Sequence, residues 1–267
     1  MENNQNVSDT KIDYNGSNVE IYQNFKNFPL KVWEVSQFRS FLERIKFFLN
    51  NSNDFSILDL GCGTGYYTRI AREYTQGEIV GIDIAAEMIS KANEIEKQDP
   101  KNISYYVENC LIDLSTILGD KKFDVVLGIY LLNYSPSKDS LEAAAKNIRN
   151  IMKNNNSYFL GLTTCGIEFK PNNALNSVKF GVINIPANGN YDRDSYDDGE
   201  ELEFYVCEPG NINNKLAKFT NYFYSRQTYE KSFLNAGFDN FEFLETTYDE
   251  ELKYIAETTA FILGSNK

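Results

Sequence analysis

The most informative part of the chain is one stretch, Ile57-Leu58-Asp59-Leu60-Gly61-Cys62-Gly63-Thr64-Gly65. A short, mostly apolar run leads into a cluster of glycines, and apolar residues then recur at helical spacing from Tyr67 to Tyr74. This pattern predicts a strand, a tight turn and a helix. The same order follows, with a strand over residues 78–82 and a helix over residues 85–97. Two such units in series predict a parallel sheet.

Further elements of the same kind surround this pair. Apolar spacing predicts one helix over residues 34–50 and another over residues 137–152. Short apolar runs predict three more strands, at residues 103–107, 124–129 and 157–162. The first part of the chain therefore continues the alternation of strand and helix that builds a parallel sheet.

The alternation stops between residues 166 and 225. Three segments of strand-like composition stand there instead, at residues 178–185, 202–207 and 219–224, and we interpret them as an inserted antiparallel lid. The acidic tract 192–203 is typical of a solvated loop, and no function is expected of it. A helix near residues 227–236 and two strands at 241–244 and 258–263 then predict a closing hairpin.

These elements together predict an α/β fold. We expect a Rossmann-like, seven-stranded, mostly parallel sheet with a C-terminal antiparallel hairpin, helices on both faces and the inserted β lid. The expected parts are an N-terminal capping segment (1–33), an α/β core that binds the cofactor (34–165), a lid over the substrate site (166–225), and the last helix and hairpin of the core (226–267).

Composition restricts the chemistry available. The 38 acidic residues outnumber the 26 basic ones, for a net charge of −12, so no broad basic face is expected for nucleic acid. The chain has no histidine, which excludes His-based triads and proton relays, and its four cysteines form no CxxC pair. No metal site is therefore expected. Short apolar runs and a polar start predict a cytoplasmic protein with no membrane partner.

The glycine turn is expected to bind a ligand, because it ends a parallel strand just before a helix. Its GxGxG spacing differs from the dinucleotide fingerprint GxGxxG, since Tyr66 stands where the third glycine is needed. Asp59 would repel a pyrophosphate but attract a ligand with an ammonium and a sulfonium. Asp83, 24 residues later, is placed to accept ribose hydroxyls. Together these features favour S-adenosylmethionine (SAM).

Two structural alternatives compete with this interpretation. The glycines can serve a tight turn without a ligand, and Asp83 can cap the helix that follows it. The combination of an acid, the glycine spacing and a second acid favours the ligand-binding interpretation over either alternative.

The chain resembles a known family at several motifs. The segment from Asp59 to Gly65 and the segment from Gly81 to Ile89 resemble class I SAM-dependent methyltransferases, and the likeness extends over roughly residues 34–265. Tyr130-Leu131-Leu132-Asn133-Tyr134 is similar to the toxoflavin synthase-like group of small-molecule methyltransferases. The segment from Thr220 to Ser225 is also similar to this second group.

The resemblance implies a set of cofactor-binding residues. They are Tyr22, Asp59, Gly61, Cys62, Gly63, Gly65, Asp83, Ile84, Met88, Asn109, Cys110 and Tyr130. The glycines would pass close to the amino-acid part of SAM, with Asp59 facing its ammonium, while Asp83 would hold the ribose. Ile84 and Met88 would flank the adenine. Asn109 stands where the family often has an Asp that accepts the adenine amino group, and an Asn oxygen can accept the same hydrogen bond.

A second set is expected around the methyl acceptor. It comprises Tyr14, Trp33, Tyr130, Tyr134, Tyr222 and Tyr224. Tyr130 and Tyr134 follow the fourth strand, whose end faces the transferred methyl group in this fold. Tyr222 and Tyr224 share one face of a lid strand, and Tyr14 with Tyr22 fits a helix closing over the methionine end. Packing at the core edge or at the N-terminus is the alternative for these side chains.

The resemblance implies methyl transfer from SAM to a small molecule, leaving S-adenosylhomocysteine (SAH). Such a transfer needs alignment and exclusion of water more than a catalytic side chain, and no catalytic residue is assigned. Because no base is evident near the fourth strand, a nitrogen of a heterocycle or amine is the expected acceptor. The alternatives are O-methylation of a small molecule and a non-catalytic module that binds SAM or SAH. The oligomeric state is not predicted.

Overall fold

A computed structural model describes residues 19–21, 24, 28–112, 114–153, 156–166, 169–248 and 250–266. Tyr14 and Tyr22 lie outside these ranges. The helices include α1 (Pro29–Phe48), α2 (Tyr66–Ala71), α3 (Ala86–Gln98), α4 (Ser115–Leu118), α5 (Lys138–Ile151), α6 (Arg226–Asn235) and α7 (Lys253–Thr258). The strands are β1 (Ile57–Leu60), β2 (Ile79–Asp83), β3 (Ile103–Val107), β4 (Val125–Ile129), β5 (Ser157–Thr163), β6 (Val182–Pro186), β7 (Glu200–Glu208), β8 (Asn211–Phe223), β9 (Asn240–Leu244) and β10 (Ala260–Asn266).

The described residues form one sheet of seven strands in the order β3-β2-β1-β4-β5-β10-β9. The first five strands pair in parallel, while β10 runs antiparallel to both β5 and β9. Strand β1 is central, with Leu58 in register with Val80 on one side and Val126 on the other. The order reverses at β1, and a parallel α/β sheet binds ligands at such a switch point. The expected fold class is confirmed.

Helices cover both faces of this sheet. Every side chain of β1 is buried, and alternate residues face opposite sides. Ile57 belongs to an apolar cluster that includes Phe38 of α1 and Ile70 of α2. Leu58 belongs to a second cluster, which includes Leu141 of α5 and Phe233 of α6. A continuous apolar strand is what burial on both faces requires.

Helix α1 begins earlier in the chain than periodicity predicted. It starts at Pro29, and proline is favoured in a first helical turn because its φ is preset and it lacks an N–H that would stay unpaired. The earlier start places Lys31 and Glu34 one turn apart within the helix. The periodicity missed residues 29–33, which include the charged Lys31. No helix of the described ranges is both long and apolar enough to cross a membrane.

The inserted segment forms a second, three-stranded antiparallel sheet in the order β6-β7-β8. A 3₁₀ helix (Pro171–Phe180) precedes it, so the first lid strand begins only at Val182, after the positive φ of +81° at Gly181. Strand β7 begins at Glu200, inside the acidic tract expected to be a loop. Cross-strand pairing with β6 and β8 overrides the charge of that tract, and Leu202 and Val206 are buried on one face of the strand.

Candidate functional site

A cavity of about 910 Å³ opens at the carboxyl ends of the parallel strands. Its walls include the glycine turn after β1, the end of β2, the end of β4, the start of α1 and the lid sheet. At this edge some backbone N–H and C=O groups of strand ends and turns make no hydrogen bonds to a neighbouring strand. They are therefore available to a ligand, and α/β folds bind ligands there. The lid sheet supplies the opposite wall.

The glycine turn adopts a backbone that only glycine accepts without strain. Gly61, Gly63 and Gly65 have φ values of +72°, +55° and +79°. Gly61 and Gly63 line the cavity, and the Gly61 N–H donates to the Ile82 carbonyl at 2.8 Å. Gly65 instead precedes α2, where an added Cβ would lie 2.8 Å from Cζ of Tyr105. Two of the glycines therefore open the cavity, and the third allows close packing below it.

Asp83 joins the ends of β1 and β2. Its Oδ2 accepts from the Gly63 N–H at 2.8 Å, and its Oδ1 accepts from the Ala85 N–H at 2.9 Å. Burial raises the pKa of this carboxyl, and the backbone donors offset part of that rise. Ala85, rather than Asp83, occupies the N-cap position of α3. Asp83 lines the cavity and keeps lone pairs available, since an ionised carboxylate offers about four.

Asp59 lies beneath the turn rather than on the cavity surface. Its side chain is almost fully buried, and its Oδ2 accepts from the Thr68 hydroxyl at 2.5 Å. Burial, together with the charge of Asp83, raises the pKa of Asp59 from 3.8 to about 7, against the effect of the Thr68 hydrogen bond. Asp59 is not among the described residues that line the cavity, and neither are Cys62 and Gly65. The contact that the resemblance implies between Asp59 and the ligand ammonium, through water or directly, stays a prediction.

The expected adenine-binding residues meet at one side of the cavity. Ile84, Met88, Asn109 and Cys110 all line it. The Asn109 side-chain oxygen already accepts from the Leu111 N–H at 3.0 Å, which leaves it one lone pair. Burial raises the pKa of the Cys110 thiol, so this side chain behaves as a small apolar group.

A buried polar cluster joins α1 to the end of β4. The Glu34 carboxylate accepts from the Tyr130 hydroxyl at 2.5 Å, from the Tyr67 hydroxyl at 2.7 Å and from the Lys31 ammonium at 2.5 Å. Tyr130 has a φ of +58°, an uncommon conformation for a residue with a side chain. Sequence analysis missed Lys31 and Glu34. The signal for them was an opposite-charge pair three residues apart in the otherwise apolar first turns of the helix, residues 29–35.

The expected acceptor-binding aromatics divide into two groups. Tyr130, Tyr134 and Tyr222 line the cavity. Tyr224 follows the end of β8 and is fully buried, with its hydroxyl donating to the Ser135 carbonyl at 2.7 Å. Trp33 is also buried, and its indole N–H donates to the Thr247 carbonyl at 2.8 Å. Neither is among the described residues of the cavity wall, because each packs into the core as the alternative interpretation proposed.

The lid sheet contributes polar residues that sequence analysis did not single out. Asn184 of β6 and Asn221 of β8 lie on one face with Phe204 of β7, and all three line the cavity. Asn221 Nδ2 donates to Asn184 Oδ1 at 3.1 Å across the central strand. The other amide atom, Asn221 Oδ1, is buried without a hydrogen-bond partner among the described residues. A buried acceptor without a donor is costly, so it marks a place where a ligand donor would be favoured.

Parts of the amino-acid sequence are similar to known methyltransferases. Residues 51–166 match the model of a family described as a methyltransferase domain. Malonyl-[acyl-carrier protein] O-methyltransferase of Bacillus anthracis is 35% identical over 72 residues, which are 27% of this chain and 24% of that protein. Arsenite methyltransferase of Aquipseudomonas alcaligenes is 32% identical over 96 residues, 32% of this chain and 27% of that protein. The chain thus spans about a quarter of the length of these relatives.

Solved structures share the fold across the chain. Magnesium protoporphyrin IX methyltransferase from Synechocystis PCC 6803, solved with bound SAM, has a TM-score of 0.62 at 11% identity and covers 100% of both chains. A SAM-dependent methyltransferase from Clostridium acetobutylicum ATCC 824 has a TM-score of 0.57 at 15% identity, covering 92% of this chain and 97% of that one. The chain shares the fold of these solved structures, and its segment 51–166 is similar to the methyltransferase-domain family.

Proposed function

We propose that the protein transfers a methyl group from SAM to a nitrogen of a small heterocycle or amine, and that it acts in the cytoplasm. One observation carries this proposal: a single cavity of about 910 Å³ extends from the glycine turn and Asp83 to the lid sheet. A cofactor at the glycine turn and an acceptor under the lid would therefore share one enclosed space. Such an arrangement aligns donor and acceptor and excludes water, as transfer between them requires.

The residues at the strand ends fit the parts of SAM. Gly61 and Gly63 allow the amino-acid part to approach the backbone closely, and Asp83 has lone pairs left for the ribose hydroxyls. Ile84 and Met88 offer apolar surface to the adenine. When bound, SAM supplies an activated methyl group on a sulfonium. The protein itself then has to bind SAM and the acceptor, align them and exclude water from the space between them.

Acceptor recognition is assigned to the lid side of the cavity. Phe204 and Tyr222 offer flat apolar surface, and the buried Asn221 Oδ1 would accept a hydrogen bond from an N–H or O–H of the acceptor. Tyr130 and Tyr134, at the end of β4, would lie near the transferred group. The similarity to the toxoflavin synthase-like group supports a heterocyclic nitrogen, and this finer assignment remains a prediction.

O-methylation is a second candidate, and one contact favours it. The sequence suggested no base near the fourth strand, yet the Tyr130 hydroxyl donates to the Glu34 carboxylate there. A phenol in this arrangement can take the proton of an acceptor hydroxyl while its own proton passes to the carboxylate. The relatives act on different groups, with one named as an O-methyltransferase and another as an arsenite methyltransferase. Their names therefore do not choose between nitrogen and oxygen.

Transfer of label from methyl-labelled SAM tests the proposal. The protein is incubated with fractionated extract of its source cells, and labelled products are identified by mass spectrometry. We expect label in one small-molecule fraction, methylated on nitrogen, with loss in Asp83→Ala. Asp54→Asn is the matched control, because Asp54 is an exposed acid in the loop before β1. Label in protein or RNA, or SAM binding without transfer to any fraction, would contradict the proposed function. A product methylated only on oxygen would favour the second candidate.

A further inference from the structure

The first turns of α1 place an ion pair inside the cavity. Lys31 and Glu34 are only 4% and 0% exposed, and both line the cavity. Removing two charges from water is expensive, and replacing such a pair by apolar residues is often neutral or stabilising. A buried pair on a cavity wall therefore calls for a reason other than stability.

The contacts of Glu34 locate the pair within the site. Tyr67 belongs to α2, which begins just after the glycine turn, and Tyr130 ends β4. By accepting from both hydroxyls, Glu34 lies between the turn and the end of the fourth strand. Glu34, Gly61 and Gly63 all line the same cavity, and Asp83 accepts from the Gly63 N–H at the end of β2.

The other nearby acid does not fill this place. Asp59 was expected to face the ligand ammonium, but it lies under the turn with its carboxylate bonded to Thr68. Glu34 lines the cavity as Asp83 does, but it belongs to α1, whereas Asp83 ends β2 and is bonded to the Gly63 N–H. Three donors occupy its two oxygens, and a carboxylate has about four lone-pair positions. Among the contacts that the described residues make, one position remains for a donor on a ligand.

We propose that Glu34 and Lys31 bind the zwitterionic amino-acid end of SAM and SAH, Glu34 holding the α-ammonium and Lys31 the α-carboxylate. This inference rests on the proposed function. Glu34 and Lys31 are neighbouring groups of opposite charge. The amino-acid end likewise carries an ammonium and a carboxylate, both attached to its α-carbon. Each buried charge would then gain a partner of opposite sign from the ligand, which offsets the cost of its burial.

Two ligands that differ only in the amino-acid end provide the test. SAH carries the ammonium and carboxylate, whereas 5′-methylthioadenosine keeps the nucleoside and thioether without them. Their dissociation constants are measured by calorimetry for the wild type, Glu34→Gln and Lys31→Met. We expect each substitution to weaken SAH binding about 10- to 100-fold, the value of a hydrogen bond between charged groups. Binding of 5′-methylthioadenosine should stay within about twofold.

The control pair has the same spacing on another helix. Lys91 and Glu94 in α3 form an exposed ion pair three residues apart, at 2.8 Å. Lys91→Met and Glu94→Gln should leave both dissociation constants unchanged. Unchanged binding of 5′-methylthioadenosine also shows that a variant is folded. If Glu34→Gln does not fold, Lys31→Met is tested with decarboxylated SAH, which lacks only the carboxylate. Decarboxylated SAH should then bind Lys31→Met and the wild type with equal affinity.

Three results would overturn the inference. Equal losses for SAH and 5′-methylthioadenosine would show that the pair only supports the fold of the site. Unchanged SAH binding in both variants would show that other groups hold the amino-acid end. A wild type that binds neither ligand would overturn the proposed function itself, so the two failures are distinguishable.

Discussion

Asp59 should make the protein less stable as the pH rises through neutrality. Its pKa is about 7 in the folded protein against 3.8 for an ordinary Asp, mainly because the carboxyl is buried. The folded state therefore binds this proton more tightly than the unfolded state does. The stabilisation is fully present below pH 4 and is lost as the pH passes 7.

The size of the effect follows from the shift. A rise of about three pKa units corresponds to about 4 kcal/mol between the two ends of this pH range, and relaxation around a charged Asp59 makes that an upper value. Asp59→Asn keeps a side-chain oxygen for Thr68 and removes the titration. The variant should therefore lose most of this slope and be more stable than the wild type above pH 7.

Urea unfolding at intervals between pH 4 and pH 9 measures the slope for both proteins. Asp83 also has a raised pKa, so a smaller slope of the same sign should remain in the variant. Asp54→Asn, at an exposed position, should keep the wild-type profile. A variant at position 59 with the same pH dependence as the wild type would refute the reasoning, because the charged form of Asp59 would then cost the folded state nothing.

Three further substitutions separate stability from recognition. Gly65→Ala should destabilise the fold by about 1–3 kcal/mol in urea unfolding, since it combines a positive φ with a close contact to Tyr105. Leu58→Ala in the fully buried central strand should cost about 2–5 kcal/mol, while exposed Leu175→Ala should cost little, and equal costs would contradict the assigned core. Asn221→Leu should lower kcat/KM for the acceptor about tenfold with SAH binding unchanged in calorimetry; a matching loss of SAH affinity would remove Asn221 from acceptor recognition.

Local pattern was sufficient for much of the fold. The strands β1 to β5 lie within about a residue of their predicted bounds, because buried parallel strands are continuous apolar runs. Gly61, Gly63 and Asp83 line the cavity, because they lie at the ends of two parallel strands and parallel strands end at one edge of the sheet. Their roles toward a ligand stay predictions.

The lid was predicted less well. The order of its strands follows from composition, but their bounds shifted because Gly181 and cross-strand pairing override local preference. Strand β8 ends at Phe223, and Tyr224 therefore leaves the face it was expected to share with Tyr222. A displacement of one residue at a strand end is enough to send a side chain into the core.

The sequence by itself determined the alternation of strand and helix, the glycine turn and the two acids near the ends of the first two strands, because each depends on neighbours a few residues away. Only the tertiary structure decided which acid faces the cavity. Asp59 turned toward Thr68 beneath the turn, while Glu34 reached Tyr130, 96 residues away, at the end of β4. Contacts between residues so far apart in the chain depend on how the helices pack on the sheet. Hydrophobic periodicity predicts that a helix face is buried, but it does not predict which residues that face contacts.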